Sequence, residues 1–324
     1  MFITLYCLKL RGGLRRALSY LALVLAVLLV LQLAAEEQQS TAVVRIDGAI
    51  TPGVADFISA TIDAVSPTRY RALVIVINTN GGLLSSTEKI VDSISGSPIP
   101  VYVYVPRNGR AFSAGAYILM ASHVAGAAPG ATIGACQPIP PEPKVVEAMT
   151  GWMRSLAEAT GRPKDIAEKM VRENLVLTAN EALDHGVIQY VSPTLMDFLA
   201  DAGLPLAVEE VHPDLVTQLL MLISTPVIAW ALLMLGGLLF IIGLKTPGLL
   251  MEWGGAVMML LGLYGMGQIG VGLGAVALML FGIAAMILEL KTGHGLLAIL
   301  GMGLASLGLM MIYRSAPLMR PSVS

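Results

Sequence analysis

From residue 215 to residue 324 the chain carries only six charged side chains: Lys245, Glu252, Glu289, Lys291, Arg314 and Arg320. A stretch that poor in charge has little reason to stay in water. It divides into four apolar runs, 219–244, 249–267, 270–290 and 295–313, joined by short connectors such as Lys245-Thr246-Pro247-Gly248. A helix needs about 20 apolar residues to cross the hydrocarbon core of a bilayer. Glycines recur inside the runs (Gly262, Gly265 and Gly267; Gly301, Gly303 and Gly308), as expected where helices approach closely in lipid. The sequence therefore predicts an all-α transmembrane domain of three to four helices over residues 213–316, with 317–324 as a C-terminal tail. The first run is long and contains Pro226, so a kink or tilt is expected there. Glu289 falls at the end of a span, where it either snorkels to the interface or serves as a buried functional carboxylate.

A second membrane signal lies at the other end. Residues 17–35 contain no charge and follow a basic segment, 1–16, with Lys9, Arg11, Arg15 and Arg16. This is a signal anchor, or a signal peptide cut after Leu33-Ala34-Ala35. Either way the basic end stays in the cytoplasm and the following segment lies on the extracytoplasmic side.

The middle of the chain has a different character. Residues 36–214 hold 12 Lys/Arg against 20 Asp/Glu, an acidic balance that argues against nucleic acid as a partner. Two cysteines, Cys7 and Cys136, and four histidines leave no basis for a disulfide framework or a multi-ligand metal centre. Strand-like runs at 41–46, 72–78, 100–105, 124–128 and 187–191 alternate with helical patterns at 54–65, 83–94, 113–122 and 145–160. That alternation predicts an α/β domain with largely parallel strands over residues 36–212. In 145–160, Val145, Met149, Trp152, Met153 and Leu156 share one side. The ordinary reading is a core or dimer stripe; the sharper one is a hydrophobic substrate groove suited to adaptable methionines.

Two segments carry candidate chemistry. Asn78-Thr79-Asn80-Gly81-Gly82 follows the most apolar strand; paired glycines there permit unusual backbone angles and can present a bare N–H. Arg110-Ala111-Phe112-Ser113-Ala114-Gly115 opens an apolar helix. Ser113 is either an ordinary helix cap or a nucleophile whose small neighbours admit a peptide backbone, with the Ala114 N–H facing an oxyanion. A serine nucleophile needs a base. His123 is one candidate, although a satisfied structural histidine is the plainer reading. Lys144 is the other. It follows the proline-rich stretch Pro138-Ile139-Pro140-Pro141-Glu142-Pro143 and starts a helix, whose positive end disfavours a cation; a surface lysine is the commoner role.

The ordered motifs Thr-Asn-Gly-Gly (79–82), Phe-Ser-Ala-Gly (112–115), Pro-Gly-Ala-Thr-Ile-Gly-Ala (129–135) and Leu-Thr-Ala-Asn-Glu-Ala-Leu-Asp-His-Gly-Val-Ile (177–188) together resemble the NfeD family, membrane-bound serine proteases of the ClpP/crotonase-like superfamily. The resemblance implies a ClpP/crotonase-like protease domain followed by the transmembrane domain. It implies a Ser–Lys dyad of Ser113 as nucleophile and Lys144 as general base, an oxyanion hole from the backbone N–H groups of Gly82 and Ala114, and no cofactor or metal. It also implies cleavage of hydrophobic peptide segments, a stomatin/prohibitin-like membrane protein as substrate or partner, and a homodimer or higher homo-oligomer. Three departures stand out. Asn80 replaces a proline common before the double glycine, which would loosen that turn. Gln189 replaces a frequent acidic residue, and the C-terminal OB-type domain of many relatives is missing. Competing readings are a non-catalytic scaffold for a stomatin-like partner, an acyl-CoA enzyme with the same oxyanion hole, and a transport role for the tail.

Overall fold

The computed structural model describes residues 39–245, 250–268, 272–292 and 295–315. The basic segment 1–16, the anchor or signal peptide at 17–35 and the tail 317–324 lie outside the described residues.

The first long apolar runs become strands because each is buried on both faces. β1 (Ser40–Asp47) leads through α1 (Pro52–Ala64) to β2 (Tyr70–Asn78), α2 (Leu84–Ser95) and β3 (Val101–Val105). A short β4 (Arg110–Phe112) then feeds α3 (Ala114–Ala121), followed by β5 (Val124–Ala127) and β6 (Thr132–Gly134). Next come α4 (Pro143–Ala159), α5 (Lys164–Arg172), β7 (Val176–Thr178), α6 (Ala179–Asp184), β8 (Tyr190–Val191), α7 (Leu195–Asp201) and β9 (Val208–Glu210). The large sheet has the order β8-β5-β3-β2-β1-β9, and every pairing in it is parallel. A second sheet of three strands, β4-β6-β7, joins β4 to β6 in parallel and β6 to β7 antiparallel. The α/β expectation holds.

One local expectation is corrected and one open choice is decided. The strand predicted at 187–191 is only Tyr190–Val191, because the N–H groups of Val187 and Ile188 both turn back to Ala182 O at the end of α6 (2.8 and 3.2 Å). Gln189 then closes the edge, its N–H donating to Ala125 O and its Oε1 accepting from Ala125 N (2.9 and 2.8 Å). The apolar side of α4 is a core stripe: Val145, Met149 and Met153 are buried, and Trp152 stacks on Tyr117 of α3 at 4.5 Å.

Beyond the domain the chain is helical: α8 (Leu215–Ile223), α9 (Pro226–Lys245), α10 (Met251–Gln268), α11 (Leu273–Thr292) and α12 (Leu296–Ser315). The long first run breaks where sequence placed the kink: α8 and α9 meet at 82°. Among the described residues no single helix is long and apolar enough to cross a membrane; the bent pair of α8 and α9 passes that test together. Helices pack in pairs, α9 on α10 and α11 on α12, at glycines that bring backbones together. A Cβ on Gly262 would meet Leu233 N at 2.7 Å, and one on Gly282 would meet Ala305 N at 2.4 Å. Glu289 is buried and accepts from the backbone N–H groups of Gly295 and of Leu297 (3.0 Å for the latter), so it caps α12. Leu83, the residue after the double glycine, is buried in an apolar cluster with Ala229, Leu233 and Met266 of the helical tail.

Candidate active site

β2 ends at the turn 79–82, and β4 delivers Ser113 beside it. The two segments are tied by backbone bonds, Thr79 N to Arg110 O at 2.7 Å and Phe112 N to Thr79 O at 3.1 Å. Only glycine fits at the point of closest approach. Gly81 has φ +125°, and a Cβ there would lie 2.9 Å from Ser113 Cβ. At Gly82 the obstacle is Ile50, whose carbonyl oxygen would sit 2.2 Å from an added Cβ. Ile50 N donates to Gly81 O (3.0 Å) and Leu83 N donates to Ile50 O (2.9 Å). These bonds leave the Gly82 N–H unused among the described residues. Asn80 does not loosen this turn: its Oδ1 accepts from Arg110 Nη1 (3.1 Å), while Asn78 Oδ1 accepts from Arg110 N (3.1 Å). A polar cleft of about 310 Å³ opens beside the turn, lined by Asp47, Asn78, Thr79, Asn80 and Arg110.

Ser113 occupies the cap position of α3 without acting as a cap. Its side chain makes no capping bond, and its backbone sits at φ 50°, ψ −113°, a region disfavoured for any residue with a Cβ. The strain is held from both sides, since Ser113 N donates to Gly134 O (2.9 Å) and Ser113 O accepts from Ala116 N and Tyr117 N (2.9 and 3.2 Å). The residue is 8% exposed, and its Oγ is buried with no hydrogen-bond partner among the described residues. A buried hydroxyl without a partner costs about 1–3 kcal/mol, so its retention calls for a use. Ala114, the first residue of α3, has an N–H that no helical carbonyl can reach, and it donates to nothing among the described residues. Ser113 Oγ therefore lies next to Gly81, and the following residue of each segment, Gly82 and Ala114, has an N–H unused among the described residues.

The proposed bases are placed differently. His123 is engaged, its Nδ1 accepting from Val101 N at 3.0 Å. Lys144 stands exposed on the first turn of α4, and its Nζ makes no hydrogen bond or ion pair among the described residues. Ser113 and Lys144 are not joined by a hydrogen bond. Sequence reasoning passed over Cys136, whose Sγ donates to Gly134 O at 3.4 Å and lies 3.9 Å from Ser113 O. Burial pushes its thiol far above the ordinary range, so it braces the strained segment as an inert neutral group. Among the described residues no three of His, Cys, Asp and Glu come together in a way that could hold a metal ion.

The NfeD1b N-terminal domain matches residues 40–192, and the NfeD integral membrane domain matches residues 227–324. Over 314 residues the chain is 30% identical to the membrane protein NfeD1b of Bacillus subtilis, covering 90% of this chain and 71% of that one. The chain belongs to the NfeD family. It is also 32% identical over 290 residues to the membrane-bound protease PH1510 of Pyrococcus horikoshii, covering 80% of this chain and 66% of the relative; it thus spans just under two thirds of that protein. Among solved structures, the α/β domain is similar to the 1510-N membrane protease specific for a stomatin homolog from Pyrococcus horikoshii, with TM-score 0.51 and 30% identity over 57% of this chain and 98% of that one. A lysine-to-alanine variant of 1510-N in complex with a substrate peptide matches equally, with TM-score 0.51 and 30% identity over 56% and 96% of the two chains. The matched integral membrane domain and the membrane-bound relative make this NfeD chain a membrane protein.

Proposed function

We propose that this chain is a membrane-bound serine endopeptidase of ClpP/crotonase-like type that cuts hydrophobic peptide segments. Ser113 is the nucleophile, Lys144 the general base, and the backbone N–H groups of Gly82 and Ala114 are the oxyanion donors. The observation that carries this reading is the strained, buried Ser113 hydroxyl, unpartnered among the described residues, next to the Gly81-Gly82 turn. Similarity to 1510-N, of which serine and lysine variants have been solved, supports the pairing of these two residue types.

In the mechanism, a peptide lying in the cleft excludes water, and the Lys144 side chain turns from solvent toward Ser113. Neutral Lys144 Nζ takes the proton from Ser113 Oγ, which attacks the scissile carbonyl carbon. The carbonyl oxygen becomes an oxyanion held by the Gly82 and Ala114 N–H groups; removing one such donor typically costs about 10²–10³ in kcat. Collapse returns the proton from Lys144 to the leaving amine, and water then releases the acyl group through the same base. A stomatin-like membrane protein as substrate, a homo-oligomeric assembly and an extracytoplasmic protease domain with multi-pass anchoring complete the proposal. The basic segment before residue 17 supports that orientation.

The test uses the full chain in detergent and a library of apolar peptides. Ser113→Ala and Lys144→Ala are each expected to lower kcat by at least about 10³-fold with peptide binding retained. Absence of cleavage by well-folded wild-type protein would sink the peptidase reading and favour a scaffold. Loss in Ser113→Ala alone would remove Lys144 from its role.

A further inference from the structure

The sequence from Leu215 to Leu244 contains no charged residue, yet its first nine residues form a helix of their own, bent by 82° from the next. Asp214 Oδ1 accepts from Thr217 N (2.9 Å) and starts α8. One side of that helix is seated on the α/β domain. A Cβ on Gly53 would lie 2.6 Å from Met221 Cα, and Ser224 Oγ accepts from Gly53 N at 3.2 Å. Ile223, its last residue, lies against Gly265 of α10, but another side is bare: Leu215 is 71% and Val216 62% exposed, and Leu219, Leu220 and Leu222 are exposed with them. Five large apolar side chains on nine residues form a surface that water does not favour.

We propose that α8 is an interfacial helix lying in the boundary between lipid headgroups and acyl chains, so that the lipid surface covers this face. Three observations select lipid as the occupant. The matched integral membrane domain begins at residue 227, one residue into α9, and α8 meets α9 at 82°. Spanning helices tilt on average by about 20° from the bilayer normal, so a helix nearly perpendicular to one lies close to the membrane plane. Exposed apolar side chains also stand on both sides of the bend, Leu222 before it and Val227, 74% exposed, after it. A nine-residue helix is finally too short, at about 1.5 Å per residue, to supply alone the roughly 800 Å² per partner of a stable protein interface. Interfacial helices ordinarily turn a basic face to water; here the α/β domain takes that place through Met221 and Ser224. The helix thereby seats the domain on the membrane through α1, which begins two residues after Ile50, the bridge partner of Gly82. This inference is independent of the peptidase reading.

Nitroxide labels on the full chain test it. With Cys7→Ser as background and Cys136 buried, single labels are introduced at Val216→Cys, Leu219→Cys and Leu222→Cys. Asp184→Cys, exposed on the α/β domain, serves as the aqueous control. The chain is reconstituted in phosphatidylcholine–phosphatidylglycerol vesicles. Collision with oxygen should exceed collision with a water-soluble nickel chelate at all three α8 sites, at a depth of about 5–10 Å below the phosphates, with the reverse at Asp184→Cys. Three results would each overturn the proposal: nickel access at all three sites; labels near the bilayer centre, as in a true span; or spin–spin broadening that disappears on dilution with unlabelled chain, which means a second copy covers the face.

Discussion

The α/β domain and the helical tail solve the same packing problem in opposite ways. The domain is held where a side chain reaches. Arg162, only 4% exposed, donates to Val187 O (2.9 Å), Met120 O (3.1 Å), Ser122 O (2.8 Å) and Ser122 Oγ (3.3 Å), closing the C-terminal end of the helix that Ser113 begins. Among the described residues no carboxylate balances it, and burial lowers its guanidinium to about 10. The tail is held where a side chain is missing. Gly236, Gly255 and Gly262 let α9 and α10 touch backbone to backbone, as Gly282, Gly301 and Gly308 do for α11 and α12. In water, polar ties have to be satisfied by specific partners; in lipid no hydrophobic force gathers helices, and close fit has to do so.

Removing the domain's longest reach should have the largest effect. Arg162→Met keeps most of the volume but leaves Val187 O and Ser122 O without their side-chain donor, while Met120 O keeps only Thr160 Oγ1 and Ser122 Oγ keeps its bonds to Leu119 O and Val124 O. At about 1–3 kcal/mol per buried unsatisfied group, partly relieved by relaxation, a loss on the order of 3 kcal/mol is expected. It should be read as a lower melting temperature of the α/β domain in detergent, with the tail's helicity unchanged. A variant as stable as wild type would show that the carbonyls find other donors.

Adding a side chain to the tail should have a smaller effect in the other region. In Gly262→Leu the new Cβ meets Leu233 N at 2.7 Å and Ala229 O at 2.9 Å, so α9 and α10 have to separate. Overpacking of this kind costs roughly 1–3 kcal/mol. The expected readout is weaker disulfide trapping between cysteines placed across α9 and α10, with the domain's own melting unaltered. Unchanged trapping would break the contrast, because glycine would then not be what joins the pair.

The two regions were also unequally legible in the sequence. Strands β1, β2, β3 and β5 stand out because they are built of apolar residues that are mostly buried in the sheet, and the tail stands out because it lacks charge. The sheet that carries the site does not. β4, β6 and β7 are three residues each, too short for any period, and their pairing is imposed by neighbours far along the chain. The same holds for Ser113. Sequence leaves cap and nucleophile equally open, and the proposed choice rests on the missing capping bond and on φ 50°, in a segment also tied by the bond from Ser113 N to Gly134 O. Asn80 misled for the same reason: its brace, Arg110, lies thirty positions away.

The smallest expected effect lies at the domain surface, where water competes with the polar ties that hold the interior. Thr178 and Glu181 form a reciprocal cap at the start of α6: Glu181 N donates to Thr178 Oγ1 (3.4 Å), and Thr178 N donates to Glu181 Oε2 (2.8 Å). The Thr178 backbone and hydroxyl bonds hold the Glu181 carboxyl below its ordinary value. A carboxylate whose folded value is depressed stabilises the fold above its unfolded value, about 4.3, and that contribution disappears as pH falls through the folded value. Glu181→Gln keeps an acceptor for Thr178 N and removes the charge. Thermal melts at pH 7 should then fall slightly below wild type, and the two curves should converge as pH drops below about 4. A difference that stayed constant with pH would assign the cap's worth to hydrogen-bond geometry alone, and the domain's polar ties would then act through shape rather than charge even where water reaches them.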